Sequence, residues 1–124
     1  MKNKLSMIKS IDTFFEALSV DPEKYDIYEI VVITESIIPV HATLEIMNFD
    51  EVDMLLSVYP YLYQKLVKMF AYFSHQVRIA VGNKQPNKAN SMRSYRDSFE
   101  QLMKATKMQY DSLSRRITVS IERR

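Results

Sequence analysis

Glycine is almost missing: one residue in 124, at position 82, alongside four prolines. Tight hairpin turns need residues that tolerate positive φ, so a multi-stranded antiparallel fold has almost nothing to turn on. A glycine-rich phosphate-binding loop is excluded for the same reason. Cysteine is absent, which rules out disulfides and thiolate metal sites and is compatible with a reducing compartment. Histidine occurs only at positions 41 and 75, and arginine not at all in the first 77 residues. The last ten residues then carry four arginines. Long uncharged apolar runs are also lacking. Lys9 and Asp12 interrupt any signal-like opening, and Glu29, Glu35 and Glu45 break the densest apolar stretch, against a membrane span. A cytoplasmic protein is expected.

What is present is a substantial apolar fraction, 47%, which argues against disorder and for a single helical domain over residues 1–124 with one core. The net charge of +2 conceals a split. Residues 1–60 carry four lysines against eleven acids, a net of −7; residues 61–124 carry thirteen lysines and arginines against four acids, a net of +9. Such asymmetry points to a basic surface for an anionic partner, or to two halves that attract one another.

Apolar residues recur at helical spacing. Leu5, Ile8, Ile11, Phe15 and Leu18 predict a first helix over 4–19. Asp21-Pro22-Glu23 reads as a start signal for a second. The β-branched run within Ile30–Thr34 fits helix or buried strand, and helix is expected because no second strand is available to pair with it. Pro39 should end that element, with a short helix over 41–47 to follow. Asp50 is read as a cap, Pro60 as an interruption, and Leu62, Leu66, Met69, Phe70, Phe73, Val77, Ala80 and Val81 as one stripe closed by a left-handed Gly82. NKQPNKAN is the evident loop. A last helix from Ser91 to at least Ile117 would be roughly 40 Å long. The expected fold is all-α: an irregular bundle of four or five helices, the long C-terminal helix antiparallel to the 61–81 helix.

Catalysis finds little material. His41 and Glu45 share a helix face at metal-binding spacing, but a metal needs three or four ligands and none stand near in sequence. No enzyme, metal or cofactor is expected. Tyr61, Tyr63 and Tyr72, with Lys65 and Lys68 nearby, could stack bases, although ordinary packing with hydroxyls reaching solvent at the domain edge is the favoured account of them. Arg93, Arg96, Lys104, Lys107 and Arg115 form a stripe that also holds Asp97, Glu100 and Asp111. Pairs four apart explain most of it as helix stabilisation, each worth ~0.2–0.5 kcal/mol. What survives as an anion-binding set is Arg115, Arg116, Arg123 and Arg124, with Lys84 and Lys88 in the loop.

Tyr110-x-x-Leu113-Ser114-Arg115-Arg116 resembles the end of small helical bacteriophage proteins, the UvsY-type recombination mediators. Ile38-Pro39-Val40-His41 is similar to an Ile-Pro-x-Leu-His stretch of that family, although Thr43-Leu44 stands where Lys-Tyr would follow and the next segment is acidic. The resemblance implies an oligomeric protein that binds single-stranded DNA and helps load a recombinase; of its binding residues only Arg115 and Arg116 carry over. Two readings therefore stand. In one, this is a non-enzymatic accessory protein binding single-stranded nucleic acid through its basic C-terminal half. In the other, it is an assembly subunit whose acidic half meets the basic half of a neighbouring copy.

Overall fold

The computed structural model describes residues 3–38 and 49–122, with side chains described as far as Arg116. They form four helices and no strand: α1 (Lys4–Val20), α2 (Ile27–Ile37), α3 (Phe49–Gly82) and α4 (Pro86–Glu122). The segment expected as a short helix over 41–47 lies outside the described residues.

Local chemistry accounts for each boundary. The Asn3 side chain accepts from the Ser6 amide at 2.8 Å and opens α1, whose buried face is Met7, Ile11, Phe14, Phe15 and Leu18. Leu5, expected on that face, is instead 79% exposed, because it lies about 120° around the helix from Ile11 at the centre of the buried face. Asp21 does not start the second helix. Its amide donates to the Ala17 carbonyl and closes α1, and the start falls five residues later, where Asp26 accepts from Glu29 at 2.8 Å. The β-branched run is helical: Ile30, Thr34 and Ile37 share the buried face, and the Thr34 hydroxyl donates to the Ile30 carbonyl at 2.7 Å. That bond satisfies a polar group that a strand would have had to pair elsewhere.

Two expected breaks in α3 and its following turn are corrected. Pro60 does not interrupt the helix, which passes through it. The ring is exposed, so proline removes one amide on the solvent side and leaves the Leu56 carbonyl without its i+4 donor. Gly82 does not take the left-handed position; Lys84 does, at φ 57. The Gln85 amide donates to Ala80 and the Lys84 amide to Val81, a Schellman closure two residues later than the glycine suggested. Gln85 then serves both helices, since its carbonyl accepts from Ala89 and Pro86 occupies the first position of α4, where a missing N–H is harmless. The connection is thus Asn83–Gln85, and most of the eight-residue stretch read as loop is helix.

α3 and α4 form the largest interface and run antiparallel; α1 lies against α3, α2 against α4, and α1 against α2. Phe73 is fully buried at the seam, its ring stacked on Tyr95 at 4.7 Å and on Phe99 at 5.7 Å. The shorter helices cover only part of this long hairpin. Asp12 of α1 meets Tyr61 and Lys65, and the end of α1 at Ser19 and Val20 lies beside Lys68 and Met69. Just before α2, the Tyr25 carbonyl accepts from the Tyr95 hydroxyl at 2.8 Å. Among the described residues the hairpin continues alone beyond Tyr72 and Tyr95, held by Val77, Ala80, Ala89 and Met92 between its two helices. About ten residues of α3 make this arm roughly 15 Å long. Residues 81–88 are all exposed.

Candidate nucleic-acid interface

The arm is where the positive charge stands alone. Residues 54–96 contain no aspartate or glutamate, while holding Lys65, Lys68, Arg78, Lys84, Lys88, Arg93 and Arg96. The first two sit beside α1: Lys65 pairs with Asp12 at 3.5 Å, and Lys68 shares a cleft with Glu16. Arg96 closes the run by pairing with Asp97 at 3.0 Å. The other four, Arg78, Lys84, Lys88 and Arg93, are exposed on the arm and make no ion pair with a described residue. Lys84, Lys88 and Arg93 fall within one ten-residue stretch that holds no acid, so their potentials add around the end of the arm. Asn90 accepts from the Arg93 guanidinium at 2.9 Å and steadies it without neutralising it.

The six basic residues singled out in the sequence do not form one site. Lys84 and Lys88 lie on the arm; Arg115 and Arg116 are exposed near the other end of α4, roughly 40 Å from Lys88 at 1.5 Å per residue. Arg123 and Arg124 lie outside the described residues, as does His41. Sequence reasoning missed Arg78 and assigned Arg93 to an ion-pair ladder. The signal that marks both is the acid-free run, which is plain in the sequence but becomes a surface only because α1 and α2 stop short of it. The ladder itself forms in part. Glu100 meets Lys104 at 3.2 Å, but Arg96 turns to Asp97 and Arg93 to Asn90.

The three tyrosines are likewise separated. Tyr61 is in the α1–α3 seam, its hydroxyl donating to the Asp12 carboxylate and its ring under the Lys65 ammonium at 5.2 Å. The bond to Asp12, then burial, holds that hydroxyl's pKa above its ordinary 10. Tyr72 is exposed at the arm's root, edge-on to Phe73. Tyr63 lies about 200° around α3 from Tyr61, since each residue turns the helix about 100°. It lines a groove of about 450 Å³ between α3 and α4 with Tyr59, Pro60, Gln64, Thr106, Lys107 and Tyr110. Tyr59 is fully buried there, and burial raises its pKa. The Thr106 hydroxyl donates to the Leu102 carbonyl at 2.7 Å. Tyr95 is raised by burial and then by the carboxylates Glu23, Asp26, Glu29 and Asp21 around the α1–α2 turn.

His75 is exposed on α3. Among the described residues no group of three or more histidines and carboxylates could hold a metal ion, and no helix is long and apolar enough to cross a membrane. Comparison with family models, curated proteins and solved structures gives no match, so the functional reading rests on the chain's own chemistry.

Proposed function

We propose that this protein is a non-enzymatic nucleic-acid accessory protein, its four helices closed into one bundle that carries a phosphate-binding arm. The observation that carries the reading is the acid-free arm with Arg78, Lys84, Lys88 and Arg93 exposed on it. A surface without carboxylates attracts a polyanion from any direction, and each phosphate neutralised by lysine or arginine releases a condensed counterion. Arg115 and Arg116, on the resemblance to UvsY-type mediators, would extend the contact along α4 to a second patch. Single-stranded DNA is the favoured ligand, being flexible enough to reach both ends of α4.

The test is a salt titration of binding to a labelled single-stranded oligonucleotide. The wild type should bind at low salt. Replacing Arg78, Lys84, Lys88 and Arg93 by glutamine should weaken binding irrespective of sequence. It should also flatten the slope of log affinity against log salt by about 0.7 for each phosphate no longer neutralised, or roughly three for all four. The companion variant Arg115→Gln, Arg116→Gln, Arg123→Gln, Arg124→Gln should cost less. No binding by the wild type at low salt, or an arm variant with unchanged slope, would refute the reading.

A further inference from the structure

The face of the α3–α4 hairpin turned away from α1 and α2 has no covering element among the described residues. Leu56, Tyr63, Val67 and Phe70 follow along that flank of α3, with Val67 37% exposed. Across the groove stands Tyr110, 36% exposed, beside the exposed Lys107, which has no ion pair with a described residue. On the opposite side of the molecule, α2 buries Ile30, Thr34 and Ile37 and turns Tyr28, Val32 and Glu35 outward. Tyr28 is 77% exposed and Val32 45%. Those three residues stand at i, i+4 and i+7, the spacing by which a helix presents one face to a groove.

The geometry points to an occupant for that groove: the outer face of α2 from a second copy of this chain. Charge selects it. Residues 3–38 hold three lysines against seven acids, and the groove presents to them Lys107, exposed and without an ion pair to a described residue. A docked α2 brings Tyr28 and Val32 over Tyr63, Val67 and Tyr110, with its carboxylates toward Lys107. A copy cannot fill its own groove, because its α2 is fixed on the far side of the hairpin. Donor and acceptor faces are therefore different surfaces of each molecule, so the contact is head-to-tail and continues from copy to copy. An interface built on one eleven-residue helix belongs to the small, reversible class. This inference uses residues outside the arm and stands apart from nucleic-acid binding.

Sedimentation velocity over a concentration series tests it, without nucleic acid. The wild type should grow past a dimer as concentration rises and dissociate as salt is added. Val32→Lys and Lys107→Glu, both at exposed positions that should keep native helicity, should each weaken association by roughly tenfold or more, the scale of removing one central side chain from an interface. A wild type that stays at the mass of one chain overturns the inference. So does a closed dimer, or a folded Val32→Lys variant that assembles unchanged. The arm variant should associate like wild type. Failure of oligonucleotide binding in a protein that still assembles would therefore count against the arm alone.

Discussion

Lys84 offers a perturbation whose effects on stability and on binding should carry opposite signs. A side chain in the left-handed region costs roughly 1–2 kcal/mol relative to the right-handed one, and Lys84 sits there at φ 57. Lys84→Gly removes that strain but gives the unfolded chain extra freedom worth ~0.4–1 kcal/mol. The net expectation is a gain of about 0.5–1 kcal/mol, or a rise of roughly 2–4 °C in Tm for a chain of this size. The same substitution deletes an arm cation, so the salt slope for oligonucleotide binding should fall by about 0.7. Lys84→Gln separates the two effects, losing the charge while leaving a side chain in the strained position. Gly82→Ala is the complementary change. Gly82 has no positive φ and an added Cβ would meet nothing within 4 Å, so alanine should stabilise by ~0.5–1 kcal/mol. Thermal and urea unfolding followed by circular dichroism read all three. If Lys84→Gly destabilises or Gly82→Ala loses stability, the helix ends at the glycine and the reasoning fails.

Two further outcomes test the core. Phe73→Ala should cost ~3–5 kcal/mol in urea unfolding, because it empties the centre of the α3–α4 seam and removes two ring stacks; a loss below about 1 kcal/mol would place Phe73 outside the core. In alkali, Tyr59, Tyr61 and Tyr95 have folded pKa values raised above the ordinary 10. Their contribution to stability is fully present below pH 10 and is lost as pH climbs through the folded values. Tyrosinate absorbance should therefore show a late fraction that appears together with loss of helicity. Ionisation of all eight tyrosines near pH 10, in a protein still helical, would contradict the burial of Tyr59 and Tyr95.

The helices are legible in the sequence because their buried faces are periodic and their caps local. Ile11 to Leu18, Leu62 to Ala80 and Met92 to Leu113 keep one apolar stripe each, and the seam they form is the one the stripes predict. The departures share a cause. Gly82, Pro60 and Asp21 each have a role that their residue type prefers, and at each the neighbours decide otherwise. Pro86 fixes where α4 begins and so moves the left-handed position to Lys84; solvent exposure lets the helix run through Pro60; Asp26 offers a start that leaves Asp21 to close α1. Type preferences amount to about 1 kcal/mol for a glycine or a cap and about 3 for an interior proline, and they yield to a tertiary arrangement worth more in sum.

The basic site is harder to place from sequence, because a charge matters by its distance from opposite charges in space and not by its density along the chain. Along the chain, the densest arginines are Arg115, Arg116, Arg123 and Arg124. In space, α1, α2 and the turn between them carry seven of the fifteen acids and extend only to about Tyr72 and Tyr95. Positive charge within their reach is partly met, as at Lys65 by Asp12. Positive charge past their ends has no ion pair with a described residue. The four unpaired cations of the arm are therefore a consequence of helix lengths: seventeen and eleven residues in α1 and α2, against thirty-four and thirty-seven in α3 and α4. Lengthening α1 by two turns over Tyr72 and Gln76 with glutamates on its arm-facing side would neutralise the surface without altering any of the four. Loss of oligonucleotide binding in such a variant, with Arg78, Lys84, Lys88 and Arg93 intact, would establish that the open field of the arm, and not any single cation, is what a phosphate chain meets.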